Sequence, residues 1–346
     1  MALSVSIEKK LGDFRLAVAL ETDGAPLGLL GASGSGKSVT LQCIAGTMRP
    51  DKGRIVLNGR VLFDSERRIC LPPQKRNVGY LFQQYALFPN MTVEQNIFAG
   101  VRSGSRAEKR AVVQTALRTY QLTEVAKQYP KTLSGGQQQR TALARILVGK
   151  PELLLLDEPF SALDSFLKGQ LMWELQNVLA SYSGDVLFVS HARDEIRLFC
   201  PRVSVLNDGR SEPIAAIETL LTAPQTVSAA RLAGYRNIFP LQRINAQQAH
   251  LPPLSLTLSL PETDGAAACC IPDAALSVVA PDTQGAIRCE VRGALYTDEK
   301  RLLQLHPSDA PEDALLCLCT ADTPDGCADS GIWITIDETK VFSLKM

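Results

Sequence analysis

A chain of 346 residues, 45% hydrophobic and 21% charged, is long enough for two globular domains of ordinary composition. Its basic and acidic residues balance to a formal net charge of zero, which excludes a global electrostatic pull toward nucleic acid or an anionic membrane. No apolar run reaches the roughly 18 residues of a membrane span.

In chain order, the opening MALSVSIEKKLGDF has neither the basic start nor the apolar stretch of a signal peptide. The sequence therefore predicts a cytoplasmic chain whose membrane role comes through partners. LGLL (Leu27 to Leu30) is apolar and ends in GASGSGKS (Gly31 to Ser38). SVTLQCIAG follows with helical spacing at Val39, Leu41 and Ile44 and stops at Gly46, giving strand, loop, helix. GRIVLNGRVL (Gly53 to Leu62) alternates around Asn58-Gly59, the strongest short hairpin signal. From about Ser105 to Val148 the pattern turns helical. Apolar strands return at Leu153 to Leu156, Val186 to Val189 and Val203 to Leu206, with the helix-like SFLKGQLMWELQNVLASY between the first two. Strands alternating with helices predict a parallel sheet covered on both faces, with functional groups at the carboxyl ends of its strands. After about Arg231 period-two alternation and proline punctuation take over, as in LPPLSLTLSLPETDG and GIWITIDETKVFSLKM. That change predicts a separate small all-β domain.

Six of the nine cysteines crowd the last third: Cys269, Cys270, Cys289, Cys317, Cys319 and Cys327. Adjacent or one-apart pairs do not match the C-x2-C spacing of zinc sites, so buried free thiols are the expectation.

GASGSGKS matches the phosphate-binding pattern G-x4-G-K-[ST] in its strand-to-helix context. Gly31, Ser33, Gly34 and Gly36 shape a cradle of backbone N–H groups, and the helix N-terminus adds positive potential. Lys37 would neutralise the β and γ oxygens of a bound ATP, and Ser38 would ligate Mg2+. LLLLDEP sets Asp157 and Glu158 just past a buried strand. Two adjacent carboxylates there suggest a division of labour, Asp157 holding Mg2+ and Glu158 polarising the attacking water. In VLFVSHARDE, His191 lies two residues beyond a third apolar strand, where an imidazole could donate to the γ-phosphate. Gln83, in VGYLFQQYALFP, is a candidate for contact with Mg2+ and the water.

Together these residues resemble the nucleotide-binding subunit of the ABC transporter family over about Ser4 to Arg236. The phosphate loop, Gln83, LSGGQQQR (Leu133 to Arg140), LLLLDEP, SALD (Ser161 to Asp164) and His191 occur in the family's order. The resemblance implies an α/β P-loop NTPase domain over 1–230, with a helical subdomain at about 86–150. A small β-barrel-like (OB/TOBE-like) regulatory or accessory domain would follow over 231–346. It also implies that Phe14 stacks on adenine, although Phe14 reads equally as a core residue.

In this family two copies dock head to tail. Ser134, Gly135, Gly136 and Gln137 of one would then grip the γ-phosphate held by the other, and Asp164 would line the seam. The segment SGGQQQRTALARILVGKP agrees, since it reads as a helix whose N-terminus at Ser134 is an anion site by construction.

The phrase NGRVLFDS…LPP…R.VGY.FQ…LFP looks most like molybdate importer ATPases, with sulfate/thiosulfate and ferric-iron importers as alternatives. The resemblance implies ATP hydrolysis on the cytoplasmic face of the inner membrane. Its partners would be a second copy, two permease subunits and, indirectly, a solute-binding protein, with Gln84 to Phe98 meeting the permeases. No nucleic acid is implied. A soluble non-transport ATPase of the same class is the alternative of another kind, and a pure solute sensor would not need Glu158 and His191. The last domain lacks an arginine in CIPDAALSVV (Cys270 to Val279), which favours a subunit-contact role over a regulatory oxyanion site.

Overall fold

In the computed structural model, residues 2–161, 165–260, 263–296, 301–320 and 331–345 are described. The chain forms two compact units, Met1–Ile217 and Glu218–Met346.

The first unit begins with an antiparallel hairpin, β1 (Leu3–Leu11) and β2 (Phe14–Glu21). Alternation in β2 buries Leu16, Val18 and Leu20 and exposes Arg15, Ala17 and Ala19, as expected of a strand with one wet face. β3 (Leu27–Leu30) is buried throughout and leads through the glycine-rich loop into α1 (Lys37–Ala45). β4 (Lys52–Leu57) and β5 (Arg60–Asp64) turn at Asn58 and Gly59, whose φ values of 51° and 77° suit a two-residue hairpin loop. β6 (Ile69–Cys70) and β7 (Val78–Leu81) follow.

Three helices come next: α2 (Val93–Gly100), α3 (Arg106–Thr119) and α4 (Gly135–Leu147). Each opens on a reciprocal capping box, set by Thr92 with Gln95, Ser105 with Glu108, and Ser134 with Gln137. Val93, Ile97, Val113, Leu117, Leu122 and Leu133 form their shared apolar core. The helical pattern expected from Ser105 to Val148 is thus two helices, parted by a segment in which Pro130 starts a short 3-10 turn. β8 (Leu153–Asp157), α5 (Ser165–Ala180), β9 (Asp185–Ser190), α6 (Arg193–Phe199), β10 (Arg202–Asn207), β11 (Arg210–Ser211) and β12 (Ala215–Ala216) complete the unit.

One sheet runs in the order β6-β5-β4-β1-β2-β11-β10-β3-β9-β8-β7, with β12 against β10. Its β6-to-β2 half is antiparallel, and the β10-β3-β9-β8-β7 half is parallel. The buried runs of β3, β8 and β9 reflect cover on both faces. Parallel strands all end on one side, so the residues after β3, β7, β8 and β9 share one edge of the sheet.

The second unit contains a short helix, Val227–Ala233, and three antiparallel sheets. The largest orders Leu276–Val279, Ile332–Ile336, Ile287–Tyr296, Arg301–Pro307 and Leu316–Thr320. Leu251, Leu254, Ile271, Leu305, Leu316 and Ile334 lie at its core. Cys269, Cys270 and Cys289 are buried and unbridged, Cys317 and Cys319 are partly buried, and Cys327 lies outside the described residues. No helix among the described residues is long and apolar enough to cross a membrane.

Candidate active site

The loop after β3 turns on two glycines with positive φ, Gly34 at 82° and Gly36 at 104°. A side chain on Gly36 would sit 2.6 Å from Leu16 and 3.0 Å from the Phe14 ring, so the tight turn requires glycine. Gly36 is also the N-cap of α1 and offers no capping side chain. The first N–H groups of that helix therefore face outward without a side-chain acceptor, which makes the helix start a place for an anion. Ser35 Oγ is buried there without a hydrogen-bond partner. Lys37, 5% exposed, donates from Nζ to the carbonyls of Gly31 at 2.8 Å and Ala32 at 2.9 Å. Its ammonium also lies 3.5 Å from Glu158 Oε1. A glycine cradle, an orphaned hydroxyl, a helix N-terminus and a buried ammonium fit the phosphates of a nucleotide.

Asp157 ends β8, and its two oxygens are held by side chains from helix α1 and strand β7. Ser38 Oγ donates to Oδ1 at 3.0 Å, and Tyr80 of β7 donates to Oδ2 at 2.8 Å. Burial pushes the Asp157 carboxyl above its usual range; the Tyr80 and Ser38 bonds oppose this, and neighbouring Glu158 adds to it. Burial, reinforced by Asp157, likewise pushes the Tyr80 phenol upward and keeps it a donor. A buried carboxylate beside a hydroxyl is a hard-oxygen donor set of the kind Mg2+ takes.

Glu158 follows with φ of 45°, and its N–H donates to Val189 O at 3.0 Å. Its Oε2 lies 3.3 Å from Nδ1 of His191, a half-exposed side chain one residue past β9. Gln83 donates to Ser161 Oγ at 3.2 Å, and Ser161 donates to the Glu158 carbonyl at 3.0 Å. Strand ends from β3, β7, β8 and β9 thus converge on Glu158.

A cavity of about 340 Å³ is lined by Phe14, Ser33, Gly34, Gly36, Lys37, Ser38, Val39, Gln83 and Glu158. Beside it a cleft of about 560 Å³ shares Ser38 and Gln83 and adds Asp157, Tyr80 and Gln138. Gly31 lies beneath this loop as an acceptor for Lys37. Ser134, Gly135, Gly136 and Gln137 line neither space. They start α4, where Ser134 Oγ accepts from the Gln137 N–H at 3.3 Å and Gln137 Oε1 accepts from the Ser134 N–H at 3.0 Å. Asp164 lies outside the described residues. Sequence reasoning passed over Tyr80, because VGYL reads simply as an apolar strand; its pairing opposite Leu155 carries it to Asp157.

A family model described as ABC transporter matches residues 20–161. The molybdenum import ATP-binding protein ModC of Mannheimia succiniciproducens is 36% identical over 225 residues, 65% of this chain and 63% of that protein. The chain therefore spans somewhat less than two thirds of that relative's length. The spermidine/putrescine import ATP-binding protein PotA of Bacillus cereus is 40% identical over 238 residues, 67% of this chain and 71% of that protein. Among solved structures, a dimeric ATP-binding cassette in a post-hydrolysis state with ADP and Pi superposes with a TM-score of 0.52 at 29% identity. The match covers 63% of this chain and 99% of that one.

Proposed function

This chain belongs to the ABC transporter family, and on that premise we propose that it is the ATP-hydrolysing subunit of an importer. The transported solute is a small oxyanion, molybdate foremost. The observation that supports this most is the convergence of Lys37, Ser38, Asp157, Glu158 and His191 on one edge of a parallel sheet.

Lys37, steadied by two loop carbonyls, presents its charge to the β and γ oxygens of ATP. Ser38 and Asp157 hold Mg2+, Tyr80 orients the Asp157 carboxylate, and Gln83 reaches the same place from the end of β7. Bound there, Mg2+ offsets the charge that builds on the transferring phosphoryl group. Glu158 orients the attacking water and takes its proton, with its oxygens set between Lys37 and His191. His191 donates toward the γ-phosphate side. Phe14 borders the cavity where the base of the nucleotide would enter.

Ser134, Gly135, Gly136 and Gln137 line neither the cavity nor the cleft, and in this reading they serve a γ-phosphate held by a second copy, with Asp164 at the seam. The dimeric state of the related cassette supports that arrangement. Two permease subunits at the cytoplasmic face of the membrane, and through them a solute-binding protein, complete the assembly. The PotA relative favours a second reading, in which the same chemistry drives polyamine import. The 231–346 region is an accessory domain in either case.

The purified chain should release phosphate from Mg-ATP, and Glu158→Gln should lower turnover at least about 100-fold while nucleotide still binds. Normal turnover in that variant refutes the role of Glu158. No hydrolysis by the wild type assembled with its permease refutes the ATPase reading. Uptake of labelled molybdate against labelled spermidine in a deletion strain separates the two solutes.

A further inference from the structure

Glu195 is a buried acid in the first turn of α6, its side chain 5% exposed, outside the cavity and cleft described above. Its Oε2 accepts from Ser190 Oγ at 2.7 Å, and its Oε1 lies 2.5 Å from Lys168 Nζ of α5. Ser190, 1% exposed, ends β9 in register with Leu30 of β3. Its hydroxyl oxygen also accepts from the Ala192 N–H at 2.9 Å. Helix α6 has Ala192 at its N-cap and so lacks a capping side chain of its own. The Ser190 hydroxyl takes up the Ala192 N–H and is itself tied to the Glu195 carboxylate, and the residue bracketed by this chain of bonds is His191.

This bracket matters because the His191 side chain is 53% exposed and meets Glu158 across 3.3 Å. Surrounding packing does little to hold so exposed a ring, so the backbone of 190–192 sets where it lies. A buried carboxylate holds that backbone well only while its charge is balanced, and Lys168 supplies the balance from a different helix. We propose that Glu195 is a positioning residue for hydrolysis: tied to Ser190 and balanced by Lys168, it keeps His191 on Glu158. The inference rests on the ATPase reading above and adds a device to that site. A shift of α5 is thereby felt at His191 through one ion pair.

The test uses the full chain with Mg-ATP, measuring kcat and KM by phosphate release and nucleotide affinity with a fluorescent ATP analogue. Glu195→Gln keeps an acceptor for Ser190 and removes the charge that Lys168 balances. Ser190→Ala cuts the same link from its other end and serves as the second variant should the first fold poorly. Each should lower kcat on the order of tenfold, as expected for a displacement of well under 1 Å at a reacting group, with KM and affinity unchanged. In a His191→Ala background the same substitutions should leave the residual single-turnover rate unaltered. A merely structural role would lower the rate by the same factor in both backgrounds, and that result overturns the proposal. Wild-type kcat in either folded variant overturns it too. A wild type inactive even when assembled with its permease refutes the ATPase reading and this inference with it, whereas an active wild type with unaffected variants refutes the inference alone.

Discussion

Arg76 is fully buried, at 0% exposure, yet arginine keeps its charge in proteins. Burial pulls its guanidinium below the usual range, so the site holds it through hydrogen bonds. Nε donates to Leu71 O at 2.8 Å, and Nη1 donates to the carbonyls of Cys43 and Ile44, both at 2.8 Å. Cys43 and Ile44 belong to the last turn of α1, where carbonyls lack partners within the helix and the dipole favours a cation. Gly46 ends that helix with φ of 85°, and a side chain there would stand 2.4 Å from Arg76 Nε. Arg76→Met keeps much of the stem and removes every donor. Two buried carbonyls and one partly buried one then lose their partner at about 1–3 kcal/mol each, so the substitution should destabilise the first unit by about 3–9 kcal/mol. The measurement is urea and thermal unfolding followed by far-UV circular dichroism. Arg76→Lys should recover less than half, since a single ammonium cannot reach three separated carbonyls along a planar fork. ATP affinity should fall in parallel, because α1 begins with Lys37 and Ser38. A loss below about 1 kcal/mol for Arg76→Met would refute the view that the guanidinium caps α1.

Ser134→Arg should abolish cooperativity in phosphate release while leaving ATP binding to the same chain nearly intact; loss of binding by the monomer counts against a site shared between copies. Glu152 offers a pH test. Side-chain amides of Asn77 at 2.8 Å and Asn58 at 2.9 Å hold its carboxyl below the usual range. A depressed carboxyl contributes stability above its unfolded pKa and loses it as pH falls through the folded value. The melting-temperature gap between wild type and Glu152→Gln should therefore be full near neutrality and close below about pH 4. A gap independent of pH would show that the two amides do not favour the ionised form.

The parallel half of the sheet was legible because LLLL and VLFV are contiguous apolar runs whose side chains are all buried. The hairpin at Asn58-Gly59 was legible because its left-handed φ values call for those residue types. GASGSGKS, LLLLDEP and VLFVSH name residues that meet because each motif sits at the end of a neighbouring strand. What stayed hidden depends on partners distant in sequence. Arg76 reaches back 33 residues to Cys43, and Tyr80 reaches forward 77 residues to Asp157. Helix α2 is eight residues long, too short for its period to stand out, although Thr92 and Gln95 mark its start. The break between α3 and α4 was legible from Ser134, which caps the second helix, and from Pro130, which starts a short 3-10 turn before it.

The backbone at Glu158 has a consequence for anyone engineering this chain. A non-glycine residue in the left-handed region gives up roughly 1–2 kcal/mol, and glycine at that position would recover it. On the proposed role of Glu158 as the base, heat tolerance and turnover ask for different residues at one codon. A library enriched by thermal challenge alone would drift toward glycine there and accumulate robust, inert proteins. Selection on growth would retain glutamate at the expense of melting temperature.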